Sequence, residues 1–273
     1  MYGYLIKKSF CDDWDNLLTV VVVNLIALAS GVLIFLSGSY GLMAFGEGST
    51  SPWLFVWIIA TVLLFSIVLS IINFAFGELA AQIADFNGVR LKDFFKAIPG
   101  VLKDAILFAL LIDAIVFVSI YCIDFYFFKM ANIFGALIGA FIFWMDIFII
   151  LSLQWFIPLR ATMHNNFKKC LKKCFLFTMD NTGFSIFNLL HTLVLTFLSV
   201  FLVGFFPSFC GISIFNCNAL KVRLYKYDYL EEHPELKTKK ERKNIPWDEL
   251  IFDDRETLGP RKLKSFLFPW KEN

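Results

Sequence analysis

The chain has 273 residues, of which 58% are hydrophobic, 18% aromatic and only 18% charged, with 34 Phe among them. A soluble domain of this size carries roughly 25% charged residues and spaces its apolar ones to leave a polar face. The mean hydropathy of +0.69 therefore excludes a disordered chain, a coiled coil and a disulfide-dense secreted domain. The balance of 25 Lys and Arg against 23 Asp and Glu excludes a basic nucleic-acid binder, so no nucleic acid is expected as a partner. What remains is an all-α, polytopic helical protein whose solvent is the lipid bilayer.

The first residues are basic, with Lys7 and Lys8 leading through Asp15 and Asn16 into an apolar run. A hydrocarbon core of about 30 Å needs roughly 20 apolar residues in a helix. Five such runs follow, at 17–36, 53–76, 105–128, 133–156 and 184–205, and a shorter sixth at 206–220. Pro207 suits the first turn of that sixth helix, and Lys221 and Arg223 would snorkel to the interface beyond it. All but Lys129 of the Lys and Arg residues then fall on one side of the membrane. Cytoplasmic loops are enriched in these residues, so both termini are expected in the cytoplasm and the number of spans is expected to be even. The first apolar run is of full span length and no small-residue cleavage motif follows it, so no cleavable leader is expected.

The entry signal recurs. Lys7-Lys8-Ser9-Phe10 with Asp15-Asn16 matches Lys172-Lys173-Cys174-Phe175 with Asp180-Asn181, in a shared pattern KKxFxxxxDN, and a looser copy runs from Phe95-Lys96 to Lys103-Asp104. Each precedes an apolar run, which suggests three hairpins, each introduced by a basic segment; chance recurrence of Lys, Phe and an Asp or Asn cap is the alternative. Over 166–177, Phe167, Cys170, Leu171, Cys174 and Phe175 recur at helical spacing, with Lys168, Lys169, Lys172 and Lys173 opposite. Such a helix docks on the anionic inner leaflet or on a cytoplasmic partner.

Three acids fall within the apolar runs. Asp113 and Asp146 lie about 12 and 15 Å from the inner ends of antiparallel helices, and Asp124 shares a face with Asp113. They are candidates for a proton or ion path. The plainer expectation is neutral acids bonded across helix interfaces together with Asn24, Asn73, Gln154, Asn188 and His191. No Gly-rich phosphate loop, nucleophile elbow or His-x-x-x-His pair is present, and His164 with Cys170 and Cys174 is too sparse for a metal centre. No catalytic residue, cofactor or metal is expected, and the six cysteines read as reduced structural thiols.

From Lys221 the composition changes, with 13 basic and 11 acidic residues to the C-terminus. The division is thus a transmembrane domain over 1–220 and a charged tail over 221–273. The tail carries aromatic anchors, Trp247, Phe266, Phe268 and Trp270, which would dock on the protein's own inner face, on the membrane or on a partner.

The stretches Asp93-Phe94-Phe95-Lys96 through Lys103-Asp104-Ala105, Phe156-Ile157-Pro158-Leu159-Arg160 with Phe177-Thr178-Met179-Asp180-Asn181, and Phe206-Pro207 with Gly211-Ile212-Ser213 resemble the YesL-like bacterial integral membrane proteins, a domain of unknown function. The likeness covers most of residues 5–225, and the tail after Tyr229 looks like an extension. It implies a multi-pass protein of the bacterial cytoplasmic membrane associated with carbohydrate-uptake ABC transporters, without an assigned mechanism. Glu78-Leu79-Ala80-Ala81, Gly88 and Ile98-Pro99 are similar to the coupling motif by which ABC permeases dock on their ATPase, with a longer first gap and a shorter second one. The expected role is a non-enzymatic accessory subunit of a membrane complex, or a homo-oligomer; the alternative is a small-solute or proton-coupled transporter using Asp113, Asp124 and Asp146.

Overall fold

The computed structural model describes residues 1–46, 52–130, 132–235 and 245–261, and among these the regular structure is entirely helical. Helix α1 (Tyr2–Asp15) breaks at Asn16 into α2 (Leu17–Gly46), followed by α3 (Pro52–Ala84), α4 (Leu91–Ile123) and a π-helical turn over Asp124–Lys129. Then come α5 (Ile133–Leu153), α6 (Phe156–Met163), α7 (Phe167–Asp180), α8 (Thr182–Phe201), α9 (Ser208–Glu232), α10 (Trp247–Leu250) and α11 (Phe252–Leu258). Among the described residues, five stretches are long and apolar enough to cross a membrane: Leu17–Ala44, Pro52–Ala84, Leu91–Lys129, Ile133–Met163 and Thr182–Phe201.

Helices α2 to α5 stand in a row of antiparallel neighbours. Small residues let α2 approach α3 closely, since a Cβ on Gly38 would lie 2.8 Å from Thr61 and one on Gly31 would lie 3.4 Å from Phe65. Continuing that register inward places Asn24 opposite roughly Phe74. The helix α3 meets α4 through Ser66, which donates to Asp113 at 2.5 Å, and through Phe74 and Phe108, whose rings lie 5.4 Å apart. The Phe108 ring in turn lies 4.8 Å from Phe156. Asn24, Phe74, Phe108 and Phe156 thus mark one level across the row.

Outward of that level the helices are exposed on apolar faces, for example at Phe35, Phe55, Phe117 and Phe141. This arm is roughly 20 residues long on each helix, or about 30 Å at 1.5 Å per residue. Inward of it lies the base, where the main core is concentrated: Phe76, Leu79, Trp155, Leu159, Cys174 and Ile214 are all buried. A close approach holds α3 against α6 here, for a Cβ on Gly77 would collide with the Ile157 side chain.

Helix α8 runs across the row. At its start, Trp155 Nε1 donates to Ser185 Oγ at 2.9 Å and Gln154 Nε2 to Ser185 O at 3.0 Å. Just past its end, Asn24 Nδ2 donates to Phe205 O at 2.9 Å and to Pro207 O at 3.0 Å. Along its length α8 also packs on α9, from Phe184 under the Arg223 guanidinium at 3.9 Å to Ser199 Oγ, which accepts from Ser208 N at 2.8 Å. The buried Ser185, Asn188 and Ser199 face the base, while Leu190, Val194, Phe197 and Phe201 are exposed.

The stretch expected as a short sixth span is the first half of α9, with Pro207 as its N-cap. It is not among the helices apolar enough to cross, and its Asn216 and Asn218 are buried in the base. Lys221 Nζ donates to Ala84 O at 2.9 Å and lies 3.2 Å from Asp85, at the inner end of α3. The expected boundary at 220/221 falls inside this continuous helix, because packing against α1 and α3 carries it past the change in composition.

The repeated entry signal is a structural repeat in two of its three copies. Each forms a 14-residue helix, α1 or α7, that ends at Asp-Asn. In both, the Asn side chain donates to the carbonyl four residues back, Asn16 to Asp12 O at 2.9 Å and Asn181 to Phe177 O at 3.2 Å. The third copy is no separate helix, since 95–104 lies within α4 despite Pro99.

Candidate functional site

Two polar clusters organise the base, the first half-buried and the second buried. The first joins α3, α4 and α6 around Arg160. Its guanidinium bonds to Glu78, to Asp104 at 3.0 Å and to the carbonyl of Gly100 at 3.0 Å. Pro158 and Leu159 are buried beside it, so the side chain is fixed from its own backbone outward. A planar donor fork bonded to two carboxylates from two different helices works as a clamp. Clefts open on either side of it, one of about 1000 Å³ between α4 and the α6–α7 corner, the other of about 490 Å³ between α3 and α4; His164 lines both.

The second cluster joins the chain's two ends. Lys8 Nζ donates to Asp12 at 2.8 Å, and Asn218 Nδ2 donates to the same carboxylate at 2.7 Å. Lys8 is 1% exposed and its ammonium lies 3.8 Å from the centre of the Phe86 ring. Burial pulls the Lys8 pKa down against the opposing pull of Asp12, and burial pushes Asp12 up against the pull of Lys8. The neighbouring Asp13 is pushed well above the usual carboxylate range by burial and by the Asp12 charge. Its Oδ1 has no hydrogen-bond partner among the described residues, as suits a neutral acid.

The first part of the tail closes over this cluster. Tyr4 Oη donates to Asp254 at 3.1 Å, Arg261 lies 2.5 Å from Asp15, and Ile251 and Leu258 are buried with Tyr4, Cys11 and Val222. Trp247 packs against the same cluster, 5.4 Å from the Arg223 guanidinium. Phe266, Phe268 and Trp270 lie outside the described residues.

The intramembrane acids have separate partners. Asp113 accepts from Ser66 of α3, Asp146 accepts from Ser119 of α4 at 2.8 Å, and Asp124 pairs with Lys129 at 2.7 Å near the outer end of the arm. Ser119 is six residues beyond Asp113, which puts the two acids' levels about 9 Å apart on α4. On α7, Lys168, Lys169 and Lys172 are exposed while Lys173 Nζ reaches Met163 Sδ at 3.0 Å. Cys170 and Cys174 face inward, and among the described residues no group of three or more His, Cys, Asp and Glu is placed to hold a metal.

Neither polar cluster was legible in the sequence. Lys8 reads as one more basic residue of an inner segment, and Arg160 as one more positive charge. The clue to Lys8 is Asp12, four residues on, where one helix turn brings acid and base together. Compared with family models, curated proteins and solved structures, the chain finds no match.

Proposed function

We propose that this is a four-span membrane protein whose cytoplasmic base is an interaction module, acting as a non-enzymatic subunit of a larger membrane complex. The observation that carries this reading is the split between a packed, polar-clustered base and an arm of exposed apolar helices. Ser66 bonds α3 to α4 and Ser119 bonds α4 to α5, and the large exposed apolar flank is available to lipid and to other membrane subunits.

The span count rests on the termini. Helix α1 touches α11 through Tyr4 and Asp254, which supports an even number of crossings between them. Of the five candidates, α8 is the shortest and the least hydropathic, and its buried Ser185, Asn188 and Ser199 face the base. An amphipathic helix in that position lies in the plane of the inner leaflet, apolar face toward lipid. Four crossings by α2 to α5 keep every Lys and Arg except Lys129 on the inner side, in accord with the positive-inside rule. The resemblance to YesL-like proteins supports placing the subunit in a bacterial cytoplasmic membrane, beside a carbohydrate-uptake ABC transporter.

The test is purification of the full chain in mild detergent from its native membrane, with mass spectrometry of the co-purifying proteins. Stoichiometric recovery of transporter subunits is the expected result. Recovery of the protein alone, together with proton-coupled solute uptake that needs Asp113 and Asp146, would establish the transporter alternative.

A further inference from the structure

The larger cleft beside Arg160 is amphiphilic. Its volume is about 1000 Å³. At its inner end stand Lys103 of α4, His164 and Asn165 of the α6–α7 corner and Lys168 of α7. At its outer end Leu107, Leu110 and Leu111 of α4 form an apolar wall, and Leu107 and Leu110 are part of the exposed face that runs up the arm. The cleft thus straddles the level where the base meets the arm, marked by Phe108 and Phe156.

Its charge is uneven in a useful way. Asp104 also lines the cleft, but its carboxylate is held by Arg160, which shares its own charge with Glu78. Lys103 and Lys168 are exposed, come from two different helices and form no ion pair among the described residues. Asn165 Nδ2 is buried and has no partner among the described residues. Two free cations and a spare amide donor at the polar end of an apolar wall match the phosphate of a lipid whose acyl chain lies along that wall.

We propose that this cleft binds one anionic phospholipid of the inner leaflet, headgroup phosphate between Lys103 and Lys168 and acyl chain against Leu107, Leu110 and Leu111. The proposal rests on the reading that the base lies at the inner leaflet. A free phosphate would satisfy the cations but leave the leucine wall unused, and a zwitterionic lipid would bring an ammonium toward two lysines. The bound lipid would bridge α4 and α7, tying the Arg160 clamp to the membrane surface.

The test uses the full chain in mild detergent, titrated with phosphatidylglycerol, phosphatidylcholine or inorganic phosphate, with bound lipid read by native mass spectrometry. Phosphatidylglycerol is expected to bind about ten-fold more tightly than phosphatidylcholine and to lose about ten-fold or more in the double variant Lys103→Ser/Lys168→Ser, at the usual contribution of a basic residue near an anionic surface. Lys172→Ser/Lys173→Ser should retain it, and Leu111→Trp, which fills the wall, should weaken it. Equal loss in both lysine pairs would overturn the proposal in favour of diffuse surface charge. Displacement by inorganic phosphate with no effect of Leu111→Trp would overturn it in favour of a simple anion site. Tags on the two termini, read in nanodiscs, separate the premises: termini on opposite faces would sink the span assignment, whereas unselective lipid binding with termini on one face would sink the lipid site alone.

Discussion

Trp144 and Trp155 stand eleven residues apart in sequence, and they show how differently the arm and the base use the same side chain. Trp144 is 67% exposed on the face of α5 and, among the described residues, has ring contact with Phe143 alone. Trp155 is fully buried at the α5–α6 corner, stacks with Phe184 at 5.9 Å, packs on Phe177 at 4.7 Å and donates to Ser185. In the arm, apolar residues set the depth of the chain in the bilayer and few of them choose a neighbour. In the base, each apolar residue has specific partners, and the polar groups enclosed among them must be satisfied.

That contrast is breakable, and the largest effects are expected in the base. Trp155→Ala should cost about 3–5 kcal/mol of stability through cavity formation and the lost bond to Ser185, read by thermal or denaturant unfolding in detergent, while Trp144→Ala should fall within about 0.5 kcal/mol. Equal losses at the two sites would erase the distinction between the regions. Lys8→Ala should rank next, at about 3–5 kcal/mol, because it strands the Asp12 carboxylate in the core; the double change Lys8→Met/Asp12→Leu should recover most of that loss.

Asp13 sharpens the comparison through pH. Its folded pKa lies above the ordinary 3.8, so the folded state holds the proton longer than the unfolded chain. Its contribution is fully present below about 3.8 and is lost as pH rises from there toward the folded value. Asp13→Asn should remove that slope and leave the protein as stable or more stable at neutral pH, checked by unfolding across the range; an unchanged slope would show that Asp13 is not the group responsible. The smallest effects belong to the arm's acids. Asp113→Asn and Asp146→Asn keep a hydrogen-bonding group opposite Ser66 and Ser119, so each should shift stability by about 0.6 kcal/mol or less, and co-purification of partners should be unchanged.

Much of the arm was legible in the sequence, because a span needs only length and hydrophobicity, and the runs at 53–76, 105–128 and 133–156 fall within α3, with α4 and its π-helical turn, and with α5 and α6. The first run was expected to end at Leu36; α2 continues to Gly46, with Gly38 and Gly41 lying against Thr61 and Trp57 of α3. The base was less legible for a physical reason. Hydropathy registers a buried apolar run but says nothing of what it packs against, so α8 reads like any span although Ser185, Asn188 and Ser199 are buried against the base. Arg160, Glu78 and Asp104 come from three helices, and no local spacing connects them. The KKxFxxxxDN pattern succeeded where it was local, foretelling α1 and α7 with their Asn ends, and failed at 95–104 because tertiary packing carries α4 through Pro99.

The central claim, that α2 to α5 cross the bilayer and α8 lies along its inner face, is tested most directly by epitope tags placed at each terminus, after Lys129 and after Val203, and probed in intact and permeabilised cells. The tag after Lys129 should be reached from outside, and the other three only after permeabilisation. Access from outside to the tag after Val203 would make α8 a span and contradict the account.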